Sequence, residues 1–336
     1  MKFKNFLRSK LGFGCAPLGN MFRNIPETEA IATVDAAWND GIRYFDNAPF
    51  YGAGLAEIRM GNALAGRPRD EFVISTKVGR VILADVEDVS RRDLGDKGEI
   101  FKYGRANRIS NDYSAAATRR SIEDSLERLK TDRVDIVFVH DVAQDFYGDE
   151  WLSIFEDARK GAFRVLDRMR DEGVIKAWGL GVNRVEPIEL LLELEEPRPD
   201  GFLLAGRYTL LDHDRALQRV MPRVVEKGLG IVVGGPYSSG ALVGGQNFEY
   251  APATPAITQK VAEIKAIADR YGVSMKAAGL KFALANPAVV AVIPGASRPE
   301  RIAEDRAAID ETVPVDFWRE LREAHLVSAE APLPKN

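Results

Sequence analysis

Residues 134–141 read VDIVFVHD, four consecutive apolar residues (136–139) followed at once by His140 and Asp141. A continuous apolar run, unlike an alternating one, is typical of a parallel strand that is covered on both faces. Short runs of this kind, ending at Gly, Pro, Asn or Asp, recur at residues 11–19, 41–48, 72–79, 175–182, 201–208, 230–237 and 289–296. The sequence therefore predicts eight buried strands.

Segments with helical periodicity separate these strands. In residues 115–130, Ser114 is a plausible N-cap and Ile122, Leu126 and Leu129 form one stripe. Further helices are predicted at residues 162–172, 186–194, 214–227, 255–271, 275–285 and 299–309. Most strand starts are about 30 residues apart, which is the length of a βα unit. Two longer intervals predict long loops at about residues 80–113 and 238–255.

Two α/β folds fit alternating strands and helices, a closed barrel and an open doubly wound sheet. The open sheet that binds dinucleotides carries G-x-G-x-x-G after its first strand, and no strand here is followed by all three glycines. A G-x-x-x-x-G-K-[ST] phosphate loop is also absent. The sequence shows no linker and no shift in composition, so we predict one (β/α)₈ TIM barrel domain over residues 1–336.

Composition excludes several function classes. The 336 residues include 46 Lys plus Arg and 50 Asp plus Glu, for a net charge of -4, with no basic run that would suit nucleic acid. One cysteine and three scattered histidines predict neither an internal disulfide nor a metal site. No apolar run approaches the length of about 18 residues that a membrane helix needs. The N-terminus lacks the apolar core of a signal peptide, so we expect a soluble, cytoplasmic protein.

Polar side chains stand where four predicted strands end. The second strand ends at Asp46, with Tyr51 just beyond it, and the third carries Lys77. The fourth ends at His140 and Asp141, and the fifth at Asn183. Each residue alone also fits a turn, a packing or a rim position, but together they predict one site at the carboxyl ends of the strands. A buried ammonium needs a partner, and Asp46 is the expected partner of Lys77.

At these residues the sequence resembles the aldo-keto reductase family. Residues 45–64, FDNAPFYGAGLAEIRMGNAL, are similar to its signature, and residues 73–79, 134–141 and 292–305 match its lysine, histidine and cofactor segments in order. The resemblance implies that Tyr51 is the general acid/base, and that His140 orients the substrate oxygen. It also implies that Lys77, held by Asp46, favours the phenolate form of Tyr51.

The resemblance also implies a nicotinamide cofactor. The residues that it assigns to cofactor binding are Gly14, Cys15, Asn183, Pro236, Tyr237, Ser238, Gly240, Gly295, Ala296, Arg301 and Asp305. Gly295 stands where members that prefer NADP often carry a lysine, and Asp305 replaces an asparagine that touches adenine. A missing cation and an added anion disfavour a 2′-phosphate, so we expect NAD, with NADP as the alternative. The family often has an aromatic residue over the nicotinamide at the position of Gly234.

Within the family, the sequence is similar to aldose 1-dehydrogenases and to pyridoxal 4-dehydrogenases. Both oxidise a cyclic hemiacetal to a lactone, and the sequence leaves sugar and pyridoxal open. The expected substrate contacts are Tyr51, His140 and Asp141, although Asp141 could also be a structural carboxylate. Alternatives are an NADPH-dependent reductase of small aldehydes or ketones and a cofactor-binding regulatory subunit. A metal-dependent hydrolase is poorly supported. The sequence does not indicate an oligomeric state.

Overall fold

The computed structural model describes residues 3–7, 9–88 and 100–335. Eight parallel strands form its central sheet. They are β1 (Phe13–Gly14), β2 (Tyr44–Asp46), β3 (Val73–Val78), β6 (Ile136–His140), β7 (Ala177–Val182), β8 (Phe202–Ala205), β9 (Ile231–Gly234) and β12 (Val289–Ile293). Each strand pairs with the next in the order β1-β2-β3-β6-β7-β8-β9-β12. Parallel bridges from Leu11 to Val292 and from Gly14 to Gly295 bring the last strand back to the first. The predicted (β/α)₈ barrel and its eight strands are confirmed.

Helices cover the outside of the barrel. They are α1 (Glu27–Asn39), α2 (Leu55–Leu64), α3 (Ala115–Leu129), α4 (Gln144–Tyr147), α5 (Trp151–Ala158), α6 (Arg164–Asp171), α7 (Glu186–Glu193), α8 (Asp214–Arg219), α9 (Met221–Glu226), α10 (Pro255–Tyr271), α11 (Met275–Ala285), α12 (Pro299–Asp310) and α13 (Val315–Glu323). A π-helical segment, Arg159–Phe163, joins α5 to α6. No helix in the described part of the chain is long and apolar enough to cross a membrane.

Two insertions interrupt the βα repeat. The first contains an antiparallel hairpin of β4 (Arg80–Val86) and β5 (Asn107–Asn111), and residues 89–99 of the predicted loop lie outside the described residues. The second contains a 3₁₀ helix (Ser238–Val243) and a hairpin of β10 (Asn247–Phe248) and β11 (Ala251–Pro252). Both insertions follow carboxyl ends of barrel strands, so they lie at the face where barrel enzymes carry their sites.

The barrel interior is packed with side chains. Tyr44, Ile136, Phe138, Leu203 and Val232 belong to one buried cluster, and Phe3 from the N-terminal 3₁₀ helix packs edge-on against Phe138. A second, larger cluster fills the layer between the strands and the helices. Side chains of β6 alternate between these two layers, as the period of two in a strand requires. The interior is therefore closed at its amino end, and space for ligands remains at the carboxyl end.

Candidate active site

Lys77 lies at the centre of a buried hydrogen-bond group. It is 1% exposed, and its Nζ donates to Asp46 Oδ2 at 2.7 Å, to the Asn47 carbonyl at 2.8 Å and to Tyr51 Oη at 2.9 Å. Asp46 Oδ1 also accepts a hydrogen bond of 2.6 Å from Ser75, its neighbour in the β2–β3 register. The three donors of the ammonium are thus all used. The structure brings together Asp46, Tyr51 and Lys77, as the sequence predicts.

The turn after β2 brings Tyr51 to this group. Its residue Gly52 has a φ of 65°, and a Cβ there would lie 2.3 Å from the carbonyl oxygen of Gly19. Only glycine combines this left-handed conformation with such a close approach. The close contact between the Gly52 and Gly19 backbones therefore requires a glycine directly after Tyr51.

His140 lies across the cavity from Tyr51. Its ring is 6.0 Å from the Tyr51 ring, nearly perpendicular to it, and 5.9 Å from the ring of Phe50. His140 Nε2 is 3.3 Å from Asp141 Oδ2, and Nδ1 has no hydrogen-bond partner among the described residues. Tyr51, Lys77, His140 and Asp141 line one cavity, together with Asn183.

Arg80 is a residue of this site that the sequence analysis missed. It is 4% exposed, and its Nη2 donates to Asp141 Oδ2 at 2.8 Å. Its guanidinium carbon lies 4.1 Å from the ring centre of Phe50 and 4.2 Å from that of Phe146. A signal was present in the sequence, because an arginine two residues beyond a buried strand needs a partner. Its contact with Asp141 depends on barrel geometry, however, and is not visible in the sequence.

The electrostatics of the group differ from the expectation for Tyr51. Burial raises the pKa of Tyr51 well above its usual range, and the carboxylates of Asp46 and Asp141 raise it further. The net pKa of Tyr51 is therefore raised although Lys77 donates to its oxygen, and the role of Lys77 in favouring the phenolate stays a prediction. The charge of Lys77 is offset by Asp46, and a buried phenolate is poorly solvated. Burial also lowers the pKa of His140, with help from Arg80 and Lys77, so the imidazole is neutral at neutral pH.

A long cleft continues from Tyr51 along the carboxyl face. Of the residues assigned to a cofactor from the sequence, Gly14, Pro236, Tyr237, Gly240, Gly295 and Arg301 line this cleft. Asn183 and Ser238 line an adjoining cavity. Cleft residues that the sequence analysis did not assign include Pro17, Arg23, Ser297 and Tyr250.

Three of the assigned residues line neither the cleft nor the adjoining cavity. Cys15 and Ala296 are fully buried, and the thiol of Cys15 packs against Met60. Asp305 Oδ1 accepts hydrogen bonds from Tyr237 Oη at 2.7 Å and from Lys276 Nζ at 2.6 Å. The Asp305 carboxylate is therefore engaged within the protein and does not face the cleft as a free anion.

The cleft suits a dinucleotide. Glycines 234, 235, 240, 244 and 245 line one wall, where the lack of side chains permits a close approach to the backbone. Arg301, Arg23 and Tyr51 line the same cleft. Cationic side chains attract phosphates, so a dinucleotide bound along the cleft would contact the arginines and Tyr51.

Comparisons with known proteins agree with this architecture. Residues 10–325 match a sequence model described as the aldo/keto reductase family. The chain is 36% identical to a D-threo-aldose 1-dehydrogenase of a Pseudomonas species, covering 94% of each chain. It is 35% identical to a pyridoxal 4-dehydrogenase of Microbacterium luteolum, covering 95% of this chain and 94% of the relative. The solved holo form of an aldo-keto reductase from Bacillus halodurans has the same fold, with a TM-score of 0.69, 24% identity and coverage of 96% and 93%.

Proposed function

The chain belongs to the aldo/keto reductase family and is an NAD(P)-dependent oxidoreductase, and we propose that it oxidises a cyclic hemiacetal to a lactone with NAD⁺. The observation that carries the proposal is the buried group in which Lys77 connects Asp46 to Tyr51 beside His140. The two relatives named as aldose and pyridoxal dehydrogenases, at 36% and 35% identity, support the hemiacetal substrate class.

In this mechanism the residues of the chain move one proton. A nicotinamide held in the cleft would supply the acceptor for the hydride of the hemiacetal carbon. Tyr51 takes the proton of the hemiacetal hydroxyl, so a hemiacetal and NAD⁺ give a lactone, NADH and H⁺. The neutral ring of His140 holds the reacting oxygen by a hydrogen bond. Lys77 stabilises the oxygen of Tyr51 in both protonation states.

The raised pKa of Tyr51 sets the direction of the pH dependence. Oxidation needs the phenolate, and burial with two nearby carboxylates favours the phenol. We therefore expect the oxidation rate to increase from neutral to alkaline pH, and the reverse reduction, which needs the phenol, to decrease. Initial rates in both directions over this range measure the effect. An oxidation rate that falls as the pH rises would contradict the role of Tyr51.

A preference for NAD rests on the adenosine end of the cleft. Gly295 provides no cation there, and Arg23 is already paired with Glu29 at 2.6 Å and bonded to the Ser297 carbonyl at 2.9 Å. Asp305 adds little, because Lys276 and Tyr237 hold its carboxylate. The ratio of kcat/KM for NAD⁺ and NADP⁺ tests the preference, and a large ratio in favour of NADP⁺ would overturn it.

The function is tested by absorbance at 340 nm. Purified enzyme is given NAD⁺ or NADP⁺ with L-fucose, D-arabinose or pyridoxal. We expect NADH to form with at least one of the three hemiacetals. Reduction of small aldehydes with NADPH, without any oxidation, would replace the proposal with the reductase. No turnover in either direction would favour a regulatory, cofactor-binding protein.

Replacement of Tyr51 by Phe tests the mechanism. Loss of the general acid/base should lower turnover by at least about 100-fold, with little change in the dissociation constant of NADH. Fluorescence titration measures the binding of NADH. Tyr103→Phe is the matched control, because Tyr103 is an exposed tyrosine outside the lining of the cleft and cavity. Retained turnover in Tyr51→Phe would remove Tyr51 from the mechanism.

A further inference from the structure

The mechanism above gives the buried pair of Arg80 and Asp141 no contact with the substrate. Both residues are at most 4% exposed, and they share a hydrogen bond of 2.8 Å. Two buried charges carry a large desolvation penalty, which hydrophobic residues of similar size avoid. A pair of this kind beside the reacting groups therefore indicates recognition of a polar ligand.

The structure fixes this pair tightly. The guanidinium of Arg80 lies between the rings of Phe50 and Phe146, at 4.1 and 4.2 Å from their centres. Asp141 has a φ of 52°, in the left-handed region that few residues other than glycine adopt. Strain of this kind collects at ligand-binding positions, where the surrounding contacts hold it. Arg80 is the charged contact that holds the Asp141 carboxylate at the cavity wall.

Asp141 lies near the place where the reacting carbon of the substrate would bind. Asp141 lines the same cavity as Tyr51 and His140, and its Oδ2 is 3.3 Å from His140 Nε2. A substrate oxygen held between Tyr51 and His140 thus brings the next substituent of the substrate close to this carboxylate. An ionised carboxylate only accepts hydrogen bonds, and its two oxygens offer about four acceptor positions. It can bind a hydroxyl in addition to Arg80.

We propose that Arg80 holds Asp141 as the acceptor for the substrate hydroxyl on the carbon next to the reacting one, so that the site selects aldoses. This inference rests on the proposed function and narrows its substrate class. In an aldose the neighbouring hydroxyl is at C2 and donates to the carboxylate. In pyridoxal the nearby oxygen belongs to the phenolic group on the pyridine ring, which is ionised at neutral pH and is repelled by the carboxylate. An aldose without the C2 hydroxyl cannot make this hydrogen bond, and a site built for a hydroxyl disfavours the analogue that lacks it.

The test compares D-arabinose with 2-deoxy-D-ribose, which differs from it only by the missing C2 hydroxyl. For the natural chain we expect kcat/KM to be higher for D-arabinose by between about 10-fold and 100-fold, the range for a hydrogen bond to a charged group. Asp141→Asn should bring the ratio of the two kcat/KM values close to one. The ratio is the readout, because loss of the Asp141 charge also acts on the pKa of Tyr51 and changes both rates alike. Arg80→Met, which keeps an unbranched side chain between the two phenylalanines, should act in the same direction.

The controls separate recognition from folding. Arg108→Met removes an exposed arginine that is paired with Asp85, and it should keep the natural ratio of the two sugars. Affinity for NADH and the thermal unfolding midpoint are measured for every variant. If Arg80→Met does not fold, Asp141→Asn decides the question, because the amide keeps the shape of the side chain.

The outcomes distinguish this inference from the proposed function. Equal kcat/KM for the two sugars in the natural chain would overturn the inference and leave hemiacetal oxidation intact. An equal loss with both sugars in Asp141→Asn would also overturn it, because a general structural role predicts that result. A failure to oxidise any hemiacetal would instead overturn the proposed function. A preference for pyridoxal over all aldoses would overturn the inference alone.

Discussion

Lys77 balances the charge of the active site. Its ammonium is buried with the Asp46 carboxylate, 2.7 Å away, and it donates to the Tyr51 oxygen at 2.9 Å. Removal of one partner of a buried ion pair leaves the other charge without compensation. Lys77 is therefore tied to the stability of the barrel and to the protonation of Tyr51 at the same time.

Replacement of Lys77 by Met should affect both properties. The free energy of unfolding should fall by about 3–5 kcal/mol, because Asp46 remains buried without its cation. The charge of Asp46 then acts fully on Tyr51 and raises its pKa, so the pH profile of oxidation should move to higher pH. Urea unfolding and initial rates over a range of pH measure the two effects.

The double variant Asp46→Asn, Lys77→Met separates these effects. It restores charge neutrality and should recover much of the lost stability, but it should not recover turnover. An unchanged pH profile in Lys77→Met would show that Lys77 does not act on the pKa of Tyr51. An unchanged free energy of unfolding in Lys77→Met would show that the site rearranges to solvate or pair the Asp46 carboxylate.

The sequence alone revealed the site residues that are polar or charged within or beside apolar segments. Lys77 is a charged residue within an apolar run, and His140 is a polar residue at the end of one. Asp46 follows an apolar run on the neighbouring strand. The pairing of Arg80 with Asp141 depends on the geometry of adjacent barrel strands, which no local pattern encodes. The direction of the Tyr51 pKa depends on burial, and the sequence shows only which charges are present.

At the scale of elements, the C-terminal segment is attached to the barrel through His213. The Ser328 amide donates to His213 Nε2 at 3.1 Å, and His213 Nδ1 is 3.0 Å from the Thr209 carbonyl. Because Nε2 accepts a hydrogen bond, the imidazole must be neutral. Burial lowers the pKa of His213, and the Lys260 ammonium lowers it further, while Asp212 and Asp214 oppose this change.

The lowered pKa of His213 gives a stability that depends on pH. Below about pH 6.5 the unfolded chain binds a proton at this residue while the folded chain does not. The free energy of unfolding should therefore be largest above that pH and should fall as the pH decreases, by up to about 1.4 kcal/mol per pH unit. Urea unfolding at several pH values between 5.5 and 7.5 measures the slope.

The variant His213→Asn isolates this contribution. His140 also has a lowered pKa and adds to the slope of the natural chain, so the difference between the two proteins is the relevant quantity. We expect the variant to be less stable at pH 7.5 and to show a smaller slope. The same slope in both proteins would exclude His213 as the source.

The bounds of two helices were predicted closely. Those of α10 and α11 agree with the predicted ranges, and Ser274 caps α11 as its side chain accepts from Ala277. Helix α1 was not predicted, and its buried face consists of the small residues Ala30, Thr33, Val34 and Ala37. The predicted helix at residues 214–227 is two helices, α8 and α9, since Pro222 has no N–H for a helical hydrogen bond.

At the scale of the whole molecule, the barrel depends on how closely its strands approach. The β7–β8 region requires a glycine at residue 179, because a Cβ there would lie 1.7 Å from the carbonyl oxygen of Gly201. The conflict is with backbone, so rotation of a side chain cannot relieve it. Apolar runs and their spacing predicted eight strands in a closed barrel, but they gave no reason for this glycine.

Gly179→Ala should therefore destabilise the barrel by about 3 kcal/mol or more, which is the upper range for an overpacked interior. Gly181→Ala is the matched control on the same strand, because its Cβ would lie 3.2 Å from Phe138 Cβ and 3.4 Å from Lys77 Cε, without a backbone conflict. The urea midpoint should fall much further in Gly179→Ala than in Gly181→Ala. A strand that shifts to accept the methyl group would make the two midpoints equal, and would show that the β7–β8 spacing is not fixed by closure. The strand β7 ends beside the cavity that Lys77 and His140 line, so an unequal result would show that the spacing of the strands below the active site does not adapt to an added methyl group.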